Sequence, residues 1–285
     1  MAQLQLIECP RDAMQGIKPW IPTPQKIRYV KSLLKVGFDY LDVGSFVSPR
    51  AVPQMRDTGQ VIEAIHPYKG ATKLLVIVAN LRGAETACQY PGVDTIGFPF
   101  SISENFQMRN THKTINDSLL VLEKMVDLAA QHNKELVVYI SMGFGNPYGD
   151  PWSPAVVEEW VARLFTLGIK TLSLSDTVGL ATPQVIDTLF SSLIPSFPAI
   201  TFGAHLHCTP SDALPKISAA YRAGCRRFDH AVKGYGGCPM AKDALVGNLP
   251  TEKMVSFLAK NKIEHPLNLL HFERAYNVCL DTFPI

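Results

Sequence analysis

Short apolar runs alternate with stretches of helical periodicity along the whole chain. Most of the runs are apolar on both faces, which is typical of strands buried in a parallel sheet. The predicted strands are 4–8, 40–43, 74–79, 95–98, 135–141, 171–174, 200–206 and 227–232. Because a helical segment follows each strand, the pattern predicts an α/β protein with the (β/α)₈ architecture of a TIM barrel.

The predicted helices are amphipathic. The clearest is 115–131, where Ile115, Leu119, Leu122 and Met125 recur close to the 3.6-residue period. Others are expected at 24–35, 53–65, 154–167, 211–223, and from residues 183 and 251 onward. We predict a single domain over 1–285 with a short C-terminal helical extension after Lys262. Two smaller α/β domains are the alternative, although no linker or low-complexity stretch marks a boundary.

Composition narrows the class of protein. The 285 residues are 47% hydrophobic and 18% charged, which indicates a globular chain. A net charge of +2 gives no reason to expect nucleic acid or an acidic membrane surface as a partner. We find no apolar run of about 18 residues and expect neither a membrane span nor a signal peptide. The six cysteines lack C-x-x-C spacing, which favours reduced thiols and a cytoplasmic protein.

The segment T-F-G-A-H-L-H carries the most informative pair of residues, His205 and His207. Residues i and i+2 of a strand share a face, so both imidazoles can reach one metal ion. Such a pair is by itself more often incidental. A barrel, however, places its chemistry after the C-terminal strand ends, where Asp12 also lies. One carboxylate and two imidazoles suit Mg²⁺ or Mn²⁺, with Zn²⁺ or Co²⁺ also compatible, and Asn248 can add a carbonyl oxygen.

Three further residues are candidates for the chemistry. Arg11 adjoins Asp12 and can stabilise a developing enolate or carboxylate oxygen, or it can simply form an ion pair. Cys238 lies in the glycine-rich segment G-Y-G-G-C-P, where it is either a small buried hydrophobe or a proton shuttle. His230 lies late in the eighth predicted strand, and the sequence leaves its role open.

Five motifs together resemble the hydroxymethylglutaryl-CoA lyase family of metal-dependent TIM-barrel lyases. P-R-D-A-M-Q-G-I-K at 10–18 is similar to the family's P-R-D-G-L-Q-x-x-K, and S-F-V-S-P-R-A-V-P-Q-M at 45–55 to its second motif. S-D-T-V-G-L-A-T-P, H-L-H, and G-G-C-P-M-A followed by G-N-L-P-T-E resemble later motifs, at 175–183, 205–207 and 236–252. The resemblance covers almost the whole chain.

The resemblance implies cleavage of 3-hydroxy-3-methylglutaryl-CoA to acetyl-CoA and acetoacetate by a homodimeric enzyme. It implies that Asp12, His205, His207 and Asn248 are ligands of a divalent metal. It further implies that Arg11 stabilises the enolate and Cys238 takes part in proton transfer, while Asp42 occupies the place of a family glutamate. Ser173 and Asp176 look like polar groups of the active site.

Several residues depart from the family pattern around the substrate pocket. Cys208 follows His207 where the family usually has aspartate, and Met142 and Asn146 stand where relatives often carry cysteines. The spacing from Cys238 to Asn248 is one residue longer than expected. The alternatives are therefore a lyase or aldolase of the same chemistry on another 3-hydroxy acid or acyl-CoA, and a barrel that binds a metabolite without turnover.

Overall fold

A closed barrel of eight parallel strands forms the centre of the protein, as the sequence predicts. The computed structural model describes residues 3–237 and 246–283. Each strand is hydrogen-bonded to its neighbours in chain order, and β1 pairs with β8 to close the barrel. The strands are β1 (Gln5–Glu8), β2 (Tyr40–Ser45), β3 (Lys73–Ile77), β4 (Thr95–Ser101), β5 (Glu135–Ser141), β6 (Thr171–Ser175), β7 (Thr201–His205) and β8 (Arg227–His230).

Helices surround the barrel and bury their apolar faces against it. Within the described residues they are α1 (Pro10–Gln15), α2 (Thr23–Leu34), α3 (Thr58–Ile65), α4 (Leu81–Cys88), α5 (Glu104–Thr111), α6 (Ile115–Gln131), α7 (Pro154–Thr166), α8 (Pro183–Ser196), α9 (Ala213–Arg222), α10 (Thr251–Lys260) and α11 (Leu269–Thr282). The starts of several follow from the sequence. Thr182, for example, accepts a hydrogen bond from the Val185 N–H, and Pro183 occupies the first turn of α8.

The predicted C-terminal extension is confirmed as α11, which packs against α2. The ring of Phe283 meets that of Tyr29 edge-on, with the centroids 5.5 Å apart. The C-terminal segment therefore packs on the outer helical layer of the barrel at α2.

Some boundaries differ from the sequence prediction. The segment 53–65 is not one helix but a 3₁₀ turn at Pro53–Met55 followed by α3. Three short helices, α1, α4 and α5, were not predicted, because each is only about two turns long and gives little periodicity. β7 ends at His205, so His207 lies just beyond the strand.

The interior of the barrel beneath its C-terminal end is unusually polar. Barrels of this class are usually filled by branched aliphatic residues, whereas here Tyr139 and Arg227 project inward and are buried. A Cβ at Gly203 would lie 3.1 Å from Arg227 Cδ, and a Cβ at Gly97 would lie 3.0 Å from Tyr139 Cε2. Two glycines therefore make room for the two long side chains.

No helix in the described part of the chain is both long and apolar enough to cross a membrane.

Candidate metal centre

Asp12, His205 and His207 come together at the C-terminal end of the barrel. Asp12 lies in α1, directly after β1; His205 ends β7; and β8 alone separates those two strands. One ligand atom from each of the three residues lies within 4.8 Å of the others. The two imidazole centroids are 5.3 Å apart. The predicted trio is therefore assembled, although His207 reaches it from the loop and not from the strand.

His205 is oriented from behind by a carboxylate. Its Nδ1 lies 3.0 Å from Oδ2 of Asp229, a buried residue that faces it across the β7–β8 pairing. An ionised carboxylate only accepts, so Nδ1 donates and Nε2 is left for a ligand. Burial opposes protonation of the ring, but the hydrogen bond and charge of Asp229 outweigh it and raise the pKa of His205.

His207 has the opposite environment. It is buried, and neither ring nitrogen has a hydrogen-bond partner within the described residues. Burial, together with the nearby His205, lowers its pKa to about 4. The ring is therefore neutral at physiological pH, which is the form that binds a metal.

Asp12 supplies the anionic donor. Its Oδ1 accepts hydrogen bonds from Arg11 Nη1 at 2.9 Å and Gln15 Nε2 at 2.5 Å, and its Oδ2 accepts one from Asn248 Nδ2 at 2.6 Å. Burial works against ionisation, but Arg11 and the two histidines outweigh it and lower the pKa of Asp12. The carboxylate is therefore ionised and held in place on both sides.

Arg11 is fixed by the acidic groups around it. Its Nε and Nη2 donate to Asp42, with the shortest contact 2.5 Å from Nη2 to Oδ2, and Nη1 donates to Asp12 and to Gln15 Oε1. A guanidinium carries five N–H groups; these contacts use four, and the fifth, on Nη2, has no acceptor in the described structure. Burial raises the pKa of Asp42 to about 6 against the attraction of Arg11.

Asn248 lies beside the trio. It forms an isolated antiparallel bridge with His207, and its Nδ2 donates to Asp12 Oδ2 and to the Tyr235 carbonyl at 2.8 Å. The amide nitrogen thus faces the protein, while the amide oxygen is the atom that would serve as a ligand. Its place in the ligand set stays a prediction.

The glycine-rich loop after β8 approaches the same residues. Gly236 has φ +97°, and a Cβ there would lie 2.6 Å from both the Asp12 carbonyl oxygen and Asn248 Nδ2. Only glycine fits that contact. Cys238, predicted to transfer a proton, lies outside the described residues.

The residues that depart from the family pattern have structural roles. Asn146 Oδ1 accepts from the Tyr148 and Asp150 N–H groups and shapes the loop after β5. Met142 has φ 59° and donates its N–H to Thr177 Oγ1 at 3.0 Å. Burial raises the pKa of Cys208 to about 11, so this thiol stays protonated.

The sequence did not predict two residues of the site, Gln15 and Asp229, and it left the role of His230 open. Gln15 lies four residues after Arg11 on α1, a spacing that places both on one helix face. Asp229 gave no local signal, because its contact depends on how β7 and β8 align. His230 points away from the site: its Nδ1 lies 3.0 Å from Glu8 Oε2 and from Thr251 Oγ1.

The donor set fits a divalent cation. The imidazole of His207 is buried, and neither nitrogen has a partner among the described residues, which costs free energy unless a ligand engages the ring. The carboxylate and His205 Nε2 complete a mixed O/N set, and a carboxylate behind the histidine is a common feature of metal centres. A second grouping of Cys9, His205 and Asp229 also lies within 4.8 Å. It shares His205 with the first trio, and Nδ1 of that ring is already hydrogen-bonded to Asp229, so we assign the centre to the first trio.

Comparison with known proteins gives matches over nearly the whole chain. A family model described as HMGL-like matches residues 4–279. The 3-hydroxy-3-isohexenylglutaryl-CoA/hydroxy-methylglutaryl-CoA lyase of Pseudomonas aeruginosa is 37% identical over 258 residues, covering 90% of this chain and 85% of that protein. The cytoplasmic 3-hydroxy-3-methylglutaryl-CoA lyase of Rattus norvegicus is 36% identical over 249 residues, covering 87% and 72%.

Solved structures agree with these matches. The hydroxymethylglutaryl-CoA lyase from Pseudomonas aeruginosa has a TM-score of 0.90 at 33% identity, covering 99% of this chain and 94% of that one. The HMG-CoA lyase from Bacillus subtilis has a TM-score of 0.91 at 31% identity, covering 98% and 93%. The similarity thus includes all the strands that carry the candidate metal centre.

Proposed function

The chain belongs to the HMGL-like family, and on that premise we propose that it is a carbon–carbon lyase that cleaves 3-hydroxy-3-methylglutaryl-CoA to acetyl-CoA and acetoacetate. The family resemblance predicted from the motifs is confirmed. The observation that carries the proposal is Arg11, which keeps one N–H unengaged among the described residues while its neighbour Asp12 joins His205 and His207 in a ligand set.

In this proposal Asp12, His205 and His207 hold a divalent cation, Mg²⁺ or Mn²⁺, with the Asn248 oxygen as a fourth protein ligand. Zn²⁺ and Co²⁺ suit the same donors. When bound, the cation supplies Lewis acidity and a template for substrate oxygens. The acyl-CoA nature of the substrate rests on the names of the relatives.

The reaction breaks a carbon–carbon bond and leaves a thioester enolate. Negative charge therefore develops on an oxygen, and a fixed donor aimed at that oxygen lowers the barrier. We assign this role to the unengaged Nη2–H of Arg11. Asp42 holds the guanidinium with both carboxylate oxygens, so the donor is oriented before the substrate arrives.

Two protons must also move. One leaves the substrate hydroxyl, and one is added to the enolate carbon. Asp42, with a pKa of about 6, can exchange a proton near neutral pH. We propose Cys238 as the group that protonates carbon, on the family resemblance and on its place in the glycine-rich segment. Cys238→Ser that loses turnover under fully reducing conditions supports this role, whereas loss only of oxidative inactivation makes the thiol a regulatory group.

We further propose that residues 1–285 form one catalytic domain that works as a cytoplasmic homodimer. The domain proposal is supported by the closure of the barrel between β1 and β8. The dimer and the compartment rest on the resemblance and the scattered cysteines.

Turnover of 3-hydroxy-3-methylglutaryl-CoA by the purified protein tests the proposal. Acetoacetate is measured with Mg²⁺ or Mn²⁺ and again with EDTA, and we expect release only with the metal. Asp12→Asn should remove most of the activity. Asp94→Asn is the matched control, because Asp94 is also ion-paired, with Lys69, but lies before β4 at the other end of the barrel. Metal-loaded, folded protein that releases no acetoacetate would overturn the substrate assignment.

A further inference from the structure

A buried lysine lies directly behind the metal centre. Lys216 of α9 is 5% exposed, and its Nζ donates to the Asp176 carboxylate at 2.9 Å and to the His207 carbonyl oxygen at 2.7 Å. Burying an ammonium group is costly unless it is paired and hydrogen-bonded. Asp176 provides the opposite charge, and the second acceptor of Lys216 is the backbone carbonyl of a residue of the trio.

The lysine joins two loops on the C-terminal face of the barrel. Asp176 follows β6; its N–H donates to the His205 carbonyl at 2.9 Å, and its Oδ1 accepts the Ala181 N–H at 3.0 Å. Lys216 adds the link from this loop to the His207 carbonyl. The ion pair of Asp176 and Lys216 therefore donates hydrogen bonds to the backbone carbonyls of both histidines.

His207 depends on its backbone more than His205 does. The ring of His205 is fixed by Asp229, and its backbone belongs to β7. His207 lies beyond the strand, and its ring nitrogens have no hydrogen-bond partner in the described structure. The contacts that position this imidazole are therefore backbone contacts, among them the bridge to Asn248 and the bond from Lys216.

We propose that Lys216 is a positioning residue that fixes His207 for metal binding and thereby sets the metal affinity of the site. The inference rests on the proposed metal centre. Groups that orient metal ligands typically change metal affinity by about 10–100-fold when they are removed. Lys216 does this through a carbonyl oxygen of the ligand residue, while Asp229 does it through a ring nitrogen.

The simpler reading is that Lys216 only neutralises the buried Asp176. The chain contains a matched case for comparison. Lys26 is equally buried, and its Nζ donates to the Asp57 carboxylate at 2.8 Å and to the Gln54 carbonyl oxygen. Each of the two lysines donates to one carboxylate and one backbone carbonyl. The carbonyl that accepts from Lys26 belongs to Gln54, which is not in the ligand trio.

Titration of the metal-free protein with Mn²⁺, followed by the electron paramagnetic resonance signal of free Mn²⁺, measures affinity without reference to turnover. We expect Lys216→Met to weaken binding by about 10–100-fold. Lys26→Met should lower the thermal midpoint but leave Mn²⁺ affinity within about twofold of the parent, because it removes a buried ion pair that contacts none of the ligand residues. The double variant Lys216→Met/Asp176→Asn leaves no unpaired charge, and it should still bind Mn²⁺ as weakly as Lys216→Met.

Parent-like affinity in Lys216→Met overturns the inference, as does equal weakening in Lys26→Met or recovery of affinity in the double variant. If Lys216→Met does not fold, Lys216→Gln takes its place; its shorter side chain cannot reach both acceptors, and parent-like affinity again overturns the inference. His207→Ala separates the two proposals. If it leaves Mn²⁺ binding intact, the metal centre itself is misplaced; if it abolishes binding while Lys216→Met does not, only the role of Lys216 fails.

Discussion

His205 and Asp229 face each other across β7 and β8, with Nδ1 and Oδ2 3.0 Å apart. The contact fixes the tautomer of the imidazole and aims Nε2 at the metal position. It also places a buried carboxylate behind the site that no local sequence pattern predicted.

Asp229→Asn tests this contact. An amide can present either its oxygen or its NH₂ group to the ring, so the tautomer is no longer specified. We expect Mn²⁺ affinity to fall by about 10–100-fold with little change in the circular dichroism spectrum. Isothermal titration calorimetry measures it. An affinity equal to that of the parent would show that Asp229 does not orient the ligand.

The pH dependence of metal binding follows from the same pair. Asp229 raises the pKa of His205 against the effect of burial. Below that pKa the cation must displace a proton, so affinity should rise with pH, by up to about tenfold per unit, and level off above it. His207, with a pKa of about 4, adds no dependence near neutrality. Asp229→Asn should shift the rise to lower pH; a flat profile for the parent from about pH 6 to 8 would contradict the mechanism.

Arg11→Lys separates catalysis from metal binding. A lysine keeps the charge but cannot hold Asp42 through two nitrogens while aiming a third donor at the substrate. We expect kcat to fall by about 10²–10³-fold, with a much smaller change in Mn²⁺ affinity. Steady-state kinetics and metal titration together measure the two effects. Arg163→Lys, in an exposed pair with Glu159 on α7, serves as the control and should change kcat less than twofold. An unchanged kcat in Arg11→Lys would remove Arg11 from the enolate-stabilising role.

Gly236→Ala tests the contact between the glycine-rich loop and the site. The added Cβ would press on the Asp12 backbone and the Asn248 side chain, so both turnover and Mn²⁺ affinity should fall. Gly70→Ala is the matched control: it also has positive φ, +56°, but open space around it. Each variant bears the left-handed backbone penalty of about 1–2 kcal/mol, measured by thermal unfolding. Only Gly236→Ala should affect the metal site, and equal effects would assign the loss to backbone strain alone.

The sequence predicts the architecture because a barrel repeats one pattern eight times, and an error at one boundary does not change the repeat. The observed strand ends differ from the predicted ones by a few residues, as at β7, where the strand ends before His207. The site is only partly predictable. Asp12 and the histidines lie at strand ends, whose common face the fold class defines. Asp229 and Lys216 act through the alignment of neighbouring strands and the packing of α9, which no local pattern encodes.

The glycines inside the barrel impose a rule on how this sequence can vary. A Cβ at Gly203 would lie 3.0 Å from Ser173 Oγ and 3.1 Å from Arg227 Cδ, and a Cβ at Gly97 would lie 2.6 Å from Ile77 Cδ1 and 3.0 Å from Tyr139 Cε2. A larger residue at either glycine therefore requires its neighbouring side chains to shorten or shift together. Descendants of this chain should change each glycine together with those neighbours or not at all, and a hybrid barrel that joins strands from two relatives should fail where it separates them.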